Sequence, residues 1–271
     1  MTTFVIKSDG TREVYSEEKI RASATRVGVP QPLQAAMLET IRERLYDGIK
    51  TSEIFDLIRE FLRQSDSPYL AIKYNLKSAL AELGPSGYPF EKYVAMLLVE
   101  DGYTCQVNQT IPGACVTHEV DIVATKDPTT YFIEAKFHQN PSQRTDVRVT
   151  LYIKARYDDL SAAYSEKLTR PWIVTNTRFS TDAIKYAECQ KIKLTSWGYP
   201  KGEGIVDLIE KTHLHPITIL EGLTIQDRQR LFAAGVVTCR QLLDPQNRSL
   251  LPQSFITRDL PMVAELCHHQ K

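Results

Sequence analysis

The sequence predicts an α/β core, with a mainly helical domain in front of it and a small helical segment behind it. Between residues 118 and 136, two short apolar runs alternate with polar residues and are separated by Lys126-Asp127-Pro128-Thr129, which indicates a β-hairpin. A helical pattern precedes this hairpin, and helical and strand patterns alternate after it. The run Gly84-Pro85-Ser86-Gly87 is typical of a linker and separates the core from the first domain.

The first domain begins with a hairpin pattern and continues with helices. Residues 3–7 and 12–15 flank Asp9-Gly10, a pair that favours a tight turn because Gly tolerates positive φ. Ser16 can cap the following helix, and further helices are expected over residues 32–46 and 69–83. A helix that starts near Thr51 is strongly amphipathic, because its apolar residues recur at helical spacing: Ile54, Leu57, Ile58, Phe61 and Leu62.

The predicted core hairpin carries a pattern of two carboxylates and a lysine. Side chains alternate between the faces of a strand, so one register of the hairpin opposes Asp121 to Glu134 and places Lys136 on the same face as Glu134. Two adjacent carboxylates repel each other unless a cation lies between them, and oxygen ligands suit Mg²⁺. The lysine could orient a water or neutralise charge on a phosphate. The pattern therefore indicates metal-assisted phosphodiester hydrolysis, with a solvated hairpin face as the alternative.

Several motifs occur in an order that resembles the Mrr-type restriction endonuclease catalytic domain of the PD-(D/E)xK superfamily. They are Tyr88-Pro89-Phe90-Glu91-Lys92-Tyr93, His118-Glu119-Val120-Asp121 and Glu134-Ala135-Lys136. The resemblance spans residues 85–205 and implies a mixed sheet flanked by helices. It also implies a site for Mg²⁺ or Mn²⁺, in which Lys136 positions the attacking water and Glu91 supports the metal shell. The implied metal ligands are Asp121, Glu134 and the carbonyl of Ala135.

DNA is the partner that this resemblance implies. Residues 85–135 are acidic in sum and residues 136–201 are basic, as expected for a metal site followed by a surface that binds phosphates. The charge pattern is also compatible with two solvated faces. The candidates for DNA contact are Gln143, Arg144, Lys154 and Arg156.

The first domain resembles an ATP-cone, the nucleotide-binding regulatory domain found on ribonucleotide reductases and their transcriptional repressors. The matching residues are Val5-Ile6-Lys7-Ser8-Asp9-Gly10, Tyr15, Glu17, Lys19-Ile20, Thr51-x-x-Ile54 and Ala71-x-x-Tyr74. The resemblance implies ATP or dATP as an effector, bound by Val5, Lys7, Lys19, Ile20 and Thr51. Ser8 stands where the family often has a basic residue, and no Walker-type phosphate loop supports ATP turnover.

Length and composition set the remaining expectations. The chain of 271 residues is divided into an ATP-cone at 1–84, a nuclease domain at 85–205 and a helical segment at 206–271, which faintly resembles helix-hairpin-helix or SAM modules or serves as a packing appendage. The five cysteines form no C-x-x-C pair, which argues against a disulfide scaffold and against a structural zinc site. No run is long enough to span a membrane, so a reducing cytoplasm is expected.

These observations favour one function and leave two others open. The favoured reading is a Mg²⁺-dependent endonuclease that cuts DNA, assembles as a homo-oligomer and is regulated by ATP or dATP. One alternative is a catalytically inactive, nucleotide-gated DNA-binding regulator. The other is a nucleotide-responsive assembly module whose hairpin carboxylates are merely solvated.

Overall fold

The structure is a computed structural model that describes residues 2–7, 9–84, 87–164 and 168–267. The chain divides into two compact units, Met1–Leu76 and Lys77–Lys271. Ser8, and Pro85 and Ser86 of the predicted linker, lie outside the described residues. None of the helices in the described ranges is both long and apolar enough to cross a membrane.

The first unit combines a small sheet with helices. Strands β1 and β2 form the predicted antiparallel hairpin, and β3 pairs with β1 in parallel. The elements are β1 Phe4–Ile6, β2 Arg12–Val14, α1 Glu17–Arg26, α2 Gln31–Glu43, β3 Ile49–Lys50, α3 Thr51–Arg63 and α4 Tyr69–Tyr74, with α5 Leu76–Ala81 crossing into the second unit.

Local sequence accounts for most of these helices. The Ser16 side chain accepts a hydrogen bond from the backbone N–H of Lys19 and caps α1. Helix α3 buries Ile54, Ile58 and Leu62 on one face, as the amphipathic pattern predicts. The prediction of a single helix over residues 69–83 is wrong, because α4 ends at its C-cap, Asn75, and α5 follows it.

The second unit is built on a mixed sheet. After α5, its elements are α6 Tyr88–Glu100, β4 Thr104–Pro112, β5 Thr117–Lys126, β6 Thr129–Lys136, β7 Arg144–Thr145, α7 Val147–Ala163, β8 Thr169–Thr175, β9 Arg178–Phe179, α8 Thr181–Gln190 and β10 Lys193–Thr195. Helices then predominate: α9 Ile205–Thr212, α10 Ile225–Ala233, α11 Cys239–Leu242, α12 Gln253–Arg258 and α13 Leu260–Cys267. Short 3₁₀ turns occupy Ile217–Ile219 and Pro245–Leu250.

The main sheet of the described residues has the strand order β10-β8-β6-β5-β4. Strands β4, β5 and β6 are antiparallel neighbours, whereas β6, β8 and β10 run in parallel. The β5–β6 hairpin predicted from the alternating pattern is confirmed: Lys126 pairs with Thr129, so the turn consists of Asp127 and Pro128, which are joined by a cis peptide bond.

Helices cover both faces of this sheet. Neighbouring residues of β8 point to opposite faces, and their contacts show which helices lie on each. Ile173 packs with Ile153 of α7 and with α8 residues such as Ala183. Its neighbours Trp172 and Val174 face α6 and α9 and line a small apolar cavity with residues of both helices. The predicted mixed sheet flanked by helices is therefore confirmed.

The C-terminal region is helical, as the sequence predicts for residues 206–271. It contains α9 to α13. Tyr93 of α6 donates a hydrogen bond to the carbonyl of Leu214 at 2.7 Å, which attaches this region to α6. Cys267 is buried in α13, and His268 and His269 lie outside the described residues.

Candidate active site

Three carboxylates, Glu91, Asp121 and Glu134, form what is called the acidic site below. Glu91 lies in the first turn of α6, while Asp121 belongs to β5 and Glu134 to β6. The hairpin pairs Ile122 with Ile133, and the same register carried one residue further opposes Asp121 to Glu134. The register expected from the sequence is therefore the one that the hairpin adopts.

The backbone around Asp121 departs from regular pairing. The ladder between β4 and β5 pairs Val107 with Ile122 and Gln109 with Val120, and it skips the intervening position at which Asn108 opposes Asp121. Asn108 has a φ of 51°, in the left-handed region that Asn tolerates better than most residues. Instead, the Asp121 side chain receives a backbone hydrogen bond across the hairpin, from Ala135 N–H to Oδ2 at 2.8 Å. This bond fixes the carboxylate against β6.

Two carboxyl groups of the acidic site, Asp121 and Glu91, have raised pKa values. Burial raises the pKa of Asp121 to about 6, with a further contribution from the charge of Glu134, while the Ala135 N–H, Arg156 and Lys136 act in the opposite direction. Burial, followed by the charges of Asp121 and Glu134, raises the pKa of Glu91 to about 7. Ionising all three groups together is therefore unfavourable unless a positive charge is present.

The donor set fits a hard divalent cation. Asp121 and Glu134 supply carboxylate oxygens, and a cation between them would relieve the repulsion that raises the pKa of Asp121. No three His, Cys, Asp or Glu side chains of the described ranges are arranged as a complete metal site. Such a site would hold its cation with two carboxylates and complete the shell with water, as Mg²⁺ sites commonly do.

Lys136 follows Glu134 on the same side of β6 and is partly buried. Its charge lowers the pKa of Asp121 and of His138, which places the ammonium group close to both. It makes no ion pair with any residue that the structure describes. The ammonium group is thus available for a ligand at the acidic site.

Arg156 of α7 also reaches the acidic site. Its Nη1 donates to Oε2 of Glu134 at 2.7 Å, and its Nη2 donates to the hydroxyl of Tyr152 at 2.7 Å. The sequence predicts Arg156 as a DNA contact, whereas in the structure its guanidinium donates a hydrogen bond to a predicted metal ligand.

The other predicted DNA contacts are dispersed around α7. Gln143 and Arg144 are exposed, just before the helix. Lys154 forms an ion pair with Asp158 one turn further along α7. The structure therefore brings Arg156 to the acidic site and leaves Gln143 and Arg144 on the adjoining surface.

His138 is a neighbour of Lys136 that the sequence motifs do not include. Its Nε2 lies 2.9 Å from the hydroxyl of Thr145, and its backbone N–H and C=O both bond the side chain of Asn176, at 2.9 and 2.7 Å. Burial and the charge of Lys136 lower its pKa, while a hydrogen bond with Gln143 raises it. The alternation that links Glu134 to Lys136 continues to residue 138 and could have indicated it.

His118 serves a different part of the fold. Its Nε2 lies 2.7 Å from Oδ2 of Asp159, which also accepts hydrogen bonds from the backbone N–H groups of Cys115 and Val116. Asp159 therefore fastens the β4–β5 turn to α7. This arrangement holds the hairpin in place and does not involve the acidic site.

In the first unit, the structure brings together two of the predicted nucleotide ligands. Lys7 and Lys19 both form ion pairs with Glu13 of β2. Val5 and Ile20 are buried beneath them in the apolar core. Strand β3 pairs Lys50 with Ile6. The same register, carried one residue further, puts Thr51, the first residue of α3, beside Lys7.

Comparison with known proteins matches three separate regions of the chain. Residues 3–79 match the ATP cone domain, residues 84–198 match the restriction endonuclease family Mrr_cat, and residues 215–268 match the AF1548-like C-terminal family. An uncharacterized protein of Archaeoglobus fulgidus is 41% identical over 157 residues, which cover 58% of this chain and 87% of that protein.

A solved structure supports the same relationship. The crystal structure of the protein of unknown function AF1548 is 36% identical, with a TM-score of 0.57, and the match covers 68% of this chain and 100% of that one. The order of an ATP-cone followed by a restriction endonuclease domain, inferred above from motifs, is confirmed by the matched ranges. The chain belongs to the AF1548-like family, in which it carries an ATP-cone in front of its restriction endonuclease domain.

Proposed function

We propose that the protein is a metal-dependent endonuclease that hydrolyses phosphodiester bonds of DNA. The observation that carries this proposal is the convergence of Asp121, Glu134 and Glu91, with Lys136 beside them, inside a domain that matches the restriction endonuclease family. A solvated hairpin face would not bury its carboxylates next to one another, because that raises their free energy.

Each residue has a task in the proposed hydrolysis. Asp121 and Glu134, with the carbonyl of Ala135, bind Mg²⁺ or Mn²⁺, and Glu91 supports this shell. Bound there, the ion would supply Lewis acidity and lower the pKa of a water. Lys136 orients the attacking water and neutralises negative charge as it grows on the phosphate. The Ala135 N–H keeps Asp121 aligned throughout.

The surface next to the acidic site is proposed to bind the DNA backbone. Gln143 and Arg144 are exposed at its rim, and Lys154 lies on the helix that follows. Contacts of this kind neutralise phosphates without reading base sequence. They would hold a scissile phosphate near Lys136.

The first unit is proposed to bind ATP or dATP as an effector. Lys7 and Lys19 lie close enough to share one carboxylate, so they are also close enough to share a phosphate group. Val5, Ile20 and Thr51 would complete the site. Binding without hydrolysis would change how copies of the chain assemble and hence how fast they cut DNA.

Plasmid cleavage tests the nuclease proposal. Supercoiled DNA incubated with the full chain and Mg²⁺ should be nicked or linearised, and EDTA or Asp121→Asn should abolish the reaction. The amide keeps the shape of the carboxylate and removes the charge that binds the ion. DNA that is bound but never cut, in Mg²⁺ and in Mn²⁺, would favour the inactive nucleotide-gated regulator instead.

A further inference from the structure

The acidic site contains a positive charge of its own, the guanidinium group of Arg156. It donates to Oε2 of Glu134 at 2.7 Å, and both side chains are only 15% exposed. A charge-assisted hydrogen bond of this length is strong, and its shielding from water preserves the electrostatic attraction that an exposed ion pair loses. Arg156 therefore fixes the position of one carboxylate oxygen of Glu134.

Tyr152 holds the same guanidinium from its other side. Nη2 of Arg156 donates to the Tyr152 hydroxyl at 2.7 Å, and the guanidinium carbon lies 4.7 Å from the centre of the Tyr152 ring. A planar guanidinium can stack on a ring and bond a carboxylate at once, which a lysine ammonium cannot do with the same geometry. Tyr152 itself is 58% exposed, whereas the Arg156 and Glu134 side chains are only 15% exposed.

We propose that Arg156 is a positioning residue of the acidic site, which orients Glu134 and reduces the negative charge that a divalent cation meets there. This inference rests on the proposed nuclease function. The alternative is the phosphate contact predicted from the sequence. A guanidinium that is bound by Glu134 and Tyr152 and largely shielded from solvent is already committed to the protein, whereas the exposed Arg144 is not.

The two effects of Arg156 have opposite consequences for the metal and for the reaction. Its positive charge repels a cation in a half-buried site where screening is weak, so neutralising it should strengthen metal binding. Its hydrogen bond keeps Glu134 in one orientation, so losing it should slow the chemical step even when the site is saturated with metal. No surface contact with DNA produces this pair of effects.

The experiment compares Arg156→Gln with the parent in the full chain. Mn²⁺ should bind the variant about tenfold more tightly in calorimetric titration, because a nearby like charge is removed. Single-turnover cleavage of plasmid DNA at saturating Mg²⁺ should fall roughly 100-fold, because the reacting groups are misplaced. The dissociation constant for DNA in EDTA should stay the same.

Two further substitutions separate charge from orientation. Arg156→Lys should restore the parental Mn²⁺ affinity but not the cleavage rate, since the charge returns without the planar geometry. Tyr152→Phe keeps the ring and removes the hydroxyl, so it should slow cleavage while the Mn²⁺ affinity remains parental. Arg148→Gln is the matched control on α7: its side chain is 86% exposed and pairs with Asp146, so Mn²⁺ affinity should not change.

The outcomes distinguish this inference from the function on which it rests. An Arg156→Gln variant with parental Mn²⁺ affinity, weaker DNA binding and a shallower salt dependence would make Arg156 a phosphate contact and overturn the proposal. If the parent itself neither binds Mn²⁺ nor cuts DNA, the nuclease function is wrong, and the inference is lost with it. If Arg156→Gln does not fold, an unchanged cleavage rate in Arg156→Lys and in Tyr152→Phe overturns the inference alone.

Discussion

Lys136 and Arg156 place two positive charges at the acidic site, but the two side chains make different contacts. Arg156 is bound to Glu134, while Lys136 makes no ion pair with a described residue and acts on Asp121 only through its charge. A partner-free ammonium in a partly buried site is costly unless a ligand uses it. Under the proposed function, Arg156 orients Glu134 and Lys136 acts on the substrate.

Lys136→Ala should leave Mn²⁺ binding intact or make it tighter, because a like charge near the cation is removed. The rate of plasmid cleavage should nevertheless fall by roughly 100-fold or more, since the ammonium stabilises charge that develops in the transition state. Single-turnover cleavage and calorimetry measure the two effects. Lys185→Ala, an exposed position on α8, is the control. A variant that cuts as fast as the parent would reduce Lys136 to a counter-ion of the carboxylates.

Glu91 offers a prediction for the metal-free protein. Its pKa is raised to about 7 from an ordinary value of 4.5, so the folded state binds the proton more tightly than the unfolded state. The cost of ionising Glu91 is therefore absent below pH 4.5, grows as the pH rises towards 7, and is complete above it. Glu91→Gln should be more stable than the parent at pH 8 by roughly 1–3 kcal/mol and equally stable near pH 4.

Urea unfolding in EDTA at the two pH values measures this difference for Glu91→Gln. Glu119→Gln, an exposed carboxylate on β5, serves as the control. Mn²⁺ should stabilise the parent more than the variant, because the cation offsets the same repulsion. Equal stability of the parent and the variant at pH 8 would mean that ionising Glu91 costs nothing in the folded state, either through burial or through repulsion by Asp121 and Glu134.

At the scale of elements, the contact between α7 and the β4–β5 turn positions the hairpin that carries Asp121. Asp159 accepts hydrogen bonds from Cys115 N–H at 2.7 Å and Val116 N–H at 3.2 Å, and its carboxylate lies 2.7 Å from Nε2 of His118. The His118 hydrogen bond, followed by those of Cys115 and Val116, holds the pKa of Asp159 well below its usual range. One carboxylate thus joins three residues of the turn to a helix.

Asp159→Asn should lower the melting temperature at pH 7 and expose the turn around residues 113–117 to proteases. Because the folded-state pKa of Asp159 is depressed, its stabilisation is present above the ordinary value of 3.8 and is lost as the pH falls through the folded-state pKa. The gap in melting temperature between parent and variant should therefore narrow in acid. Asp158→Asn, the neighbouring position, is the control. If the difference in melting temperature stayed the same in acid, the stabilisation would not depend on an ionised Asp159.

The elements that could be predicted from sequence are those with a local signal. Helix α3 follows from apolar spacing, the β5–β6 hairpin from alternation, and α1 from its cap at Ser16. Strand β3 could not be predicted, because two residues carry no period and its pairing with β1 is a tertiary event. The contact of Arg156 with Glu134 could not be predicted for a similar reason. Helix α7 brings the guanidinium to Glu134, and the spacing of residues 134 and 156 contains no such information.

At the scale of the whole molecule, two units that match different families share one chain. The first carries the matched ATP-cone and the second the matched endonuclease domain. Communication between them requires that nucleotide bind two states of the protein with different affinity. Linkage then demands that DNA change the affinity for nucleotide by the same factor by which nucleotide changes the affinity for DNA.

ATP or dATP should therefore alter plasmid cleavage without being hydrolysed. A coupling free energy of about 1–3 kcal/mol corresponds to a change of roughly 5- to 150-fold, and it should be accompanied by a change in assembly size in sedimentation experiments. Lys7→Ala combined with Lys19→Ala removes both charges that meet at Glu13. Nucleotide binding should therefore weaken, and cleavage should depend less on nucleotide while basal cleavage persists.

Arg26→Ala combined with Arg63→Ala, two exposed positions of the same unit, is the matched control for this double variant. If nucleotide binds but changes neither the cleavage rate nor the assembly size, the ATP-cone does not control cleavage. A failure to bind nucleotide at all would leave the first unit with a structural role only.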